Sequence, residues 1–472
     1  MTQIVATEGH LLFRKLIREC FKYNDYDFKK DCELALLIWY DDLRRKDFFG
    51  KMKPWQVVNR LPSVNVICRK APFVRLCQRT AITFPSQFRF LPKSYILPVN
   101  RDLLVSDREK SNKRYIVKPD RGSLGNGITF LEPGDEVPVT EDLTVVQEYI
   151  PSLHINDYKF DCRIYALIAS VDPLKIYVYR NGVARFCSRK KGDTSVFSQL
   201  TNKSLNKKNP EAVITQIVQM VKDVFNELAA NGHNIDKLWK RIDSAIISTV
   251  ISSIGFLRNG VKSKCPDIGF PRCFQILGFD VLLDEALNPY ILEVNYRPSF
   301  ETNTKVERIM KTLMIAGAMK IMAPSNKVQE YVISHYSEEL ERNWEDLLNN
   351  DPLLIEGVKE TNDPNRSIPE DYCLVYPNND EKKMKIWNRM IKYVMRMPIE
   401  YTTKHVLPRS LKNHSSSQNL RGSTIIPETR RLATPKLSDS AIIKTPRPGG
   451  NKGHTQLVDD IPQSPLKRKQ SI

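Results

Sequence analysis

The chain has no Cys-x-x-Cys pair; its nine cysteines are scattered from Cys20 to Cys373. That spacing argues against a disulfide scaffold and against a thiolate zinc site, and for reduced thiols. Long apolar runs are also missing. A bilayer span needs ~20 apolar residues, whereas the longest candidate, 245–257, is short, carries several Ser, and reads as a packed helix. The opening MTQIVATEGHLLFRK lacks the basic-then-apolar layout of a signal peptide. These absences lead to the expectation of a soluble, cytoplasmic protein with no membrane partner.

What the chain has in excess is positive charge. Its formal net charge is +18, and 401–472 holds thirteen Lys/Arg against four Asp/Glu, half of that excess. A basic tail calls for an acidic partner: nucleic acid, an anionic surface or an acidic protein polymer. Few aromatics interleave with those charges, which disfavours nucleic acid. The segment 401–472 is rich in Ser, Thr, Pro and Asn and reads as a disordered basic tail. It contains Thr434-Pro435, Thr445-Pro446 and Ser464-Pro465, where proline-directed phosphorylation would lower its charge.

Residues 1–100 read as an N-terminal domain of helix-like and loop segments. From 115 to 325 short β-rich runs alternate with helices near 210–230, 235–257 and 302–322, an α+β core built largely of antiparallel sheet. Two domains, 101–180 and 181–325, divide it. The region 326–400 reads as a basic helical extension, with a helical pattern over 328–348 broken at 349–352, and a second over 381–397. That last helix is amphipathic and strongly basic. It suits either a core-packing element with a cationic outer face or a docking surface for an acidic partner.

Several polar residues in this core are spaced for chemistry. In PYILEVNYRP (289–298), Glu293 and Asn295 are two apart on a strand and so share a face. A hairpin with FQILGFDVLLD (274–284) brings Asp280 to the same cluster. Three hard oxygen donors suit Mg²⁺ held with nucleotide phosphates; the same pattern also fits a solvated hairpin face. YIVKPDRGSLGNGITFL (115–131) places Lys118 at a strand end, then Gly122, Gly125 and Gly127, with a new strand from Ile128. Glycines let backbone N–H groups approach phosphate, and the lysine supplies countercharge. The spacing and the missing helix exclude a Walker loop. TVVQEYI (144–150) ends in Gln147-Glu148, suited to an adenine edge and ribose hydroxyls, although polar strand ends are commonplace. In YKFDCRIYALI (158–168), Lys159, Asp161 and Arg163 share one face. Such a face is either solvent-exposed or a site for phosphates and acidic groups. Arg180 and Arg185 follow in IYVYRNGVARF (176–186), then Asn202 and Lys207 in QLTNKSLNKKN (199–209).

Taken in order, these stretches resemble the tubulin–tyrosine ligase-like family of the ATP-grasp superfamily. NVICRKAPFVRLCQR (65–79) belongs to the match, which covers roughly 50–325. EDYCLVYP (370–377) resembles the extension of the polyglutamylating branch, where a basic helix docks on microtubules. The resemblance implies an ATP-grasp fold with the glycine loop between antiparallel strands, and ATP and Mg²⁺ as cofactors. Lys70 and Lys118 would contact ATP phosphates, with Gly125, Gly127 and Ile128 in the loop and Asn202 nearby. Gln147 and Glu148 would lie at adenine and ribose, and Lys159 would hold nucleotide beside Asp161. Arg163 would stabilise the transferring phosphoryl group, and Arg185 the carboxylate of the incoming amino acid. Asp280, Glu293 and Asn295 would bind Mg²⁺. The implied reaction joins free glutamate to glutamate side chains of tubulin tails through an acyl-phosphate, in a cytoskeletal monomer, with the ciliary axoneme and basal body among its locations.

Departures from the family pattern are Leu124 and Asn126 in the glycine loop, Gln199 in place of a His, and Tyr296-Arg297 in place of His-Ser. They leave the proposed metal set intact and bear on which amino acid and acceptor are used. Glycine or tyrosine as donor, and a degenerate microtubule-binding core, are the alternative readings.

Overall fold

The computed structural model describes residues 3–8, 13–30, 32–41, 48–122, 125–302, 304–364, 366 and 368–397. The basic tail, its three Ser/Thr-Pro sites and Leu124 lie outside the described residues.

Three sheets organise the chain. The first holds β1 (Val5–Glu8), β2 (Asp27–Phe28), β3 (Leu37–Trp39) and β4 (Val57–Val58), in the order β2-β1-β3-β4 and all parallel. Sequence reading finds only helix and loop here, because strands of two to four residues are too short to show a period. The side chains of β1, β3 and β4 are buried without alternation, as parallel strands covered on both faces require, and those of the edge strand β2 are half-buried.

The second sheet is antiparallel: β5 (Ser94–Leu97), β6 (Tyr115–Pro119), β7 (Thr129–Leu131) and β8 (Thr144–Glu148), ordered β5-β8-β6-β7. Alternation decides its two faces. Tyr115 and Val117 of β6 enter a small core with Tyr95, Leu97, Leu104 and Val146, which leaves Ile116 and Lys118 for the opposite side.

The third sheet is also antiparallel and carries the main core. Its strands are β9 (His154–Ile155), β10 (Tyr158–Val171), β11 (Leu174–Phe186), β12 (Val218–Met220), β13 (Gln275–Leu283), β14 (Pro289–Asn295) and β15 (Tyr372–Tyr376). The path runs β12-β11-β10-β13-β14, with β15 on β11 and β9 on β10. Ile164, Ala166 and Ile168 of β10 pack into one core with the helix Ile235–Ser252. Tyr165, Leu167 and Ala169 pack into the other, against the first sheet and the helix Lys305–Met322. The residues preceding Tyr165 on its face are Arg163, Asp161 and Lys159, so the charged face continues a buried one.

The antiparallel α+β core agrees with the expectation, but local breaks do not follow the sequence pattern. β12 interrupts the segment 210–230, and the helix expected over 235–257 bends by 57° into Ile235–Ser252 and Ile254–Lys264. No single helix among the described residues is long and apolar enough to cross a membrane. The pattern over 328–348 divides into Asn326–His335 and Glu338–Asn350. There the Ser337 side chain accepts from the Leu340 N–H and starts a new helix. Asp351 caps Pro352–Asn362 in the same way.

The basic helix Glu381–Met395 packs Trp387, Met390 and Val394 into the main core beside Val375 and Tyr376 of β15. Its outer face exposes Lys382, Lys385, Arg389, Lys392 and Arg396, spaced three and four apart along one stripe. Core packing and a cationic outer face therefore coexist. Trp387 is 2% exposed and its ring centroid lies 5.9 Å from that of Tyr376. Trp387→Ala should cost about 3–5 kcal/mol, read as a lower urea midpoint. An unchanged midpoint would show that this helix does not contribute to the core.

Candidate active site

A cleft opens between the second and third sheets. β6 and β8 contribute Ile116, Lys118, Gln147 and Glu148. The third sheet contributes Lys159, Asp161, Arg185, Asp280 and Glu293; Lys70, Ile128 and Asn202 also line it. Most residues singled out from sequence thus meet in one place, although they come from positions 70 to 293.

Three lysines reach this cleft, each oriented by a neutral partner. Lys118, 7% exposed, donates to Gln147 Oε1 at 2.8 Å, and Gln147 Nε2 donates to Ser94 Oγ at 3.0 Å. Lys70 donates to the Gly122 carbonyl at 2.6 Å, and Lys159 to Tyr149 Oη at 2.7 Å. Lys70 is placed by a residue that the sequence reading did not select. Asp120, at the end of β6, accepts from Arg69 Nε at 2.9 Å and from the Ala71 N–H at 2.8 Å, fixing the start of the helix Lys70–Ala81. Burial pushes the Lys118 ammonium down to about 8; Glu293 opposes the shift, while Lys70 and Lys159 add to it.

Beside Lys159, on the third sheet, sits a buried acid–base network. The register pairs Asp161 with Arg185, Arg163 with Asp280, and Asp280 with Glu293. Arg163 grips Asp280 with Nε and Nη2, the latter at 3.0 Å, while Arg185 Nη2 reaches the same carboxylate at 2.8 Å. Arg185 also makes a bidentate pair with Asp161, at 2.7 and 2.6 Å, and Thr201 Oγ1 donates to Asp161 at 2.7 Å. Burial alone would raise the Asp280 carboxyl, but the two guanidiniums hold it well below the usual range. Glu293 moves the other way: burial, then the Asp280 carboxylate beside it, raise it despite Arg163 and Lys70. Gly278 makes this geometry possible, since a Cβ there would lie 2.8 Å from Arg163 Cδ and 2.9 Å from Pro298 Cβ.

A divalent cation fits this donor set. Two carboxylates face each other, and burial and the Asp280 charge disfavour the ionised form of Glu293, a penalty that a bound cation would offset. Asn295 stands beside them and donates to Glu293 Oε1 at 3.3 Å. Among the described residues no three His, Cys, Asp or Glu groups cluster as a self-sufficient metal cage.

Four residues selected from sequence stand back from the cleft wall. Arg163 lies behind Asp280; Asn295 lies beyond Glu293 on β14; Gly125 and Gly127 lie in the loop before β7. At Gly125 φ is +84° and a Cβ would sit 3.3 Å from the Asn202 side chain, so glycine is needed for both reasons. Asp161 and Arg185 are committed to each other. The sequence reading missed the apolar walls Ile150, Leu200, Leu282 and Leu292. Leu292 and Glu293 are consecutive yet both line the cleft, because the ladder slips a residue between Asp280 and Val281. Strict alternation hides such a pair. Also unforeseen is the buried Glu307, which accepts from Lys203 at 3.2 Å and Lys311 at 2.8 Å.

A family model described as the tubulin-tyrosine ligase family matches residues 50–331, more than half of the chain. The chain belongs to the tubulin-tyrosine ligase family. It is 32% identical over 332 residues to a probable beta-tubulin polyglutamylase of Tetrahymena thermophila, covering 65% of this chain and 27% of that protein. It is 36% identical over 287 residues to the human tubulin polyglutamylase TTLL6, covering 58% of this chain and 32% of that protein. For the human tubulin polyglutamylase TTLL7 the figures are 31% over 312 residues, 61% and 35%. The matches span about a third of these relatives' length.

Lys118 gives this family member a testable pH dependence. The ammonium is charged below about pH 8 and loses its proton as pH rises through that value. Bound phosphate favours the charged form, so affinity for a nucleoside triphosphate should be level below pH 8 and fall above it, by up to about tenfold per unit. Titrations between pH 7 and 9 should show that fall in the parent chain and not in Lys118→Arg. An equal fall in both would assign the effect to another group.

Proposed function

We propose that this chain is an ATP-dependent carboxylate–amine ligase that adds glutamate to glutamate side chains of tubulin C-terminal tails. The observation that carries the reading is the cleft itself, where Lys70, Lys118 and Lys159 meet the Asp280–Glu293 pair. Nucleotide between two antiparallel sheets is the arrangement expected of an ATP-grasp fold. Ile116, Ile150, Leu282 and Leu292 provide apolar walls for the base, and Gln147 and Glu148 lie at that side. That the similar proteins are named polyglutamylases supports glutamate as the donor over glycine or tyrosine.

The chemistry needs no enzyme nucleophile. An acceptor carboxylate oxygen attacks the γ-phosphorus of ATP, ADP leaves, and an acyl-phosphate forms. The α-amine of glutamate then attacks the acyl carbon, phosphate leaves with the bridging oxygen, and the amine gives up a proton. The lysines counter negative charge on the phosphoryl oxygens, as electrostatic catalysis of phosphoryl transfer requires. Arg185, locked by Asp161, presents fixed positive charge to the amino-acid carboxylate, and Arg163, behind Asp280, acts on the transferring group through that carboxylate. Mg²⁺ held by Asp280, Glu293 and Asn295 would offset further phosphate charge when bound.

The acidic acceptor also accounts for the cationic stripe on Glu381–Met395. Long-range attraction to acidic tails favours encounter and weakens with salt. Cytoskeletal location follows from that substrate, and ciliary axonemes and basal bodies are its microtubule-rich instances. The protein acts as a monomer with free glutamate as co-substrate. Arg389→Glu together with Lys392→Glu should weaken cosedimentation with microtubules at least about tenfold at low salt, with a smaller effect near 0.3 M salt. Undiminished binding would remove the helix from the docking surface.

Mass spectrometry of tubulin incubated with ATP, Mg²⁺ and glutamate, glycine or tyrosine separately tests the activity. Additions of glutamate residues are expected with the parent chain and none with Glu293→Gln. Turnover confined to glycine or tyrosine would replace the proposed donor, and microtubule binding without any addition would support the degenerate reading instead.

A further inference from the structure

Gln199, a departure from the family pattern, is tied to a residue that no motif singles out. Its Oε1 accepts from Arg114 Nη2 at 2.7 Å, and its Nε2 donates to the Thr194 carbonyl at 3.0 Å. Arg114 immediately precedes β6, in the second sheet. Gln199 belongs to the excursion from β11, in the third, and the three residues after it line the cleft. The contact therefore bridges the two sheets beside the nucleotide pocket.

Arg114 is held there from several sides. Its guanidinium carbon lies 4.1 Å from the Phe130 ring centroid and 4.9 Å from that of Tyr149. Its Nε donates to Glu132, and its carbonyl accepts from the Tyr149 N–H at 2.9 Å. Tyr149 leaves the end of β8 toward the third sheet. Its hydroxyl accepts from Lys159 Nζ at 2.7 Å, and that ammonium lies 4.2 Å from the Tyr149 ring centroid. One aromatic ring thus carries two cations, one from each sheet.

We propose that Arg114 is a positioning residue for nucleotide binding. Through Tyr149 it sets the Lys159 ammonium, and through Gln199 it holds 200–202 against the cleft. Thr201 of that segment donates to Asp161, which grips Arg185, and Asn202 packs on Gly125. Moving the segment would therefore disturb both the phosphate side and the buried acid–base network. A plain surface ion pair would be worth little. Two ring contacts and a charge-assisted hydrogen bond on one planar guanidinium fix its direction, which lysine cannot reproduce.

The inference rests on the cleft being a nucleotide site, and the test separates the two. Equilibrium ATP binding with Mg²⁺ and steady-state kinetics would be measured for the parent chain, Arg114→Met, Arg114→Lys, Tyr149→Phe, Gln199→Leu and the Arg114→Met/Gln199→Leu pair. Loss of a charge-assisted hydrogen bond predicts about tenfold weaker ATP binding for Arg114→Met, with the KM for ATP rising and the acceptor KM unmoved. Arg114→Lys should not restore it. Tyr149→Phe, which keeps the ring, should weaken ATP about threefold. The double variant should bind ATP no worse than about twofold below Arg114→Met, because both changes break one link. Parent-like ATP affinity in both Arg114→Met and Tyr149→Phe would overturn the inference and leave the nucleotide reading standing. So would effects of Arg114→Met and Gln199→Leu that multiply. A parent chain that binds no ATP would overturn both.

Discussion

A buried carboxylate between two guanidiniums sets the geometry on which the rest of the site depends. Asp280 on β13 is gripped by Arg163 on β10 and touched by Arg185 on β11. The three strands are neighbours in the sheet, so the network and the backbone ladder fix one another. Removing one member would leave an uncompensated buried charge, costing about 3–5 kcal/mol. The network is also asymmetric: its cations satisfy Asp280 and leave Glu293 short of positive charge. A satisfied ion pair and a carboxylate lacking positive charge thus stand on adjacent strands.

The surrounding fold supplies rigid support for this centre and a second wall to face it. Both sides of the third sheet are covered, one by the helix Ile235–Ser252 and the other by the parallel sheet and Lys305–Met322. Charged residues can be carried on the same strand face as Tyr165, Leu167 and Ala169 because the face ends at the cleft. The second sheet, which has a small core of its own on one face, contributes Lys118 from the other. Tyr149 joins the two, contacting Arg114 on one side and Lys159 on the other. The C-terminal helix is anchored by β15 and Trp387, which leaves its lysines and arginines free of core duties.

The antiparallel hairpin with Asp280 opposite Glu293 was legible in sequence, because a strand's two-residue period fixes which side chains meet. The gathering of Lys70, Lys118, Gln147 and Lys159 followed from ordered motifs. The parallel N-terminal sheet was not legible, since two- and three-residue strands leave no pattern. Nor was the bulge that turns both Leu292 and Glu293 inward, because it breaks the alternation used to read strands. Asp120 and Arg114 escaped for a further reason: their partners Arg69 and Gln199 lie far away in sequence, and isolated charges in a charged chain carry no local signal. The split at Ser337 could have been found, since a serine before Glu-Glu-Leu-Glu is a helix-start signal within an otherwise helical period.

The central claim is that the cleft activates an acceptor carboxylate by transferring phosphate to it. An acidic tubulin-tail peptide with ¹⁸O in its side-chain carboxylates, incubated with the chain, ATP, Mg²⁺ and glutamate, tests this directly. Mass analysis of the released inorganic phosphate should find one ¹⁸O for each glutamate joined, since the bridging oxygen leaves with phosphorus. Ligation that releases phosphate without ¹⁸O would contradict the account.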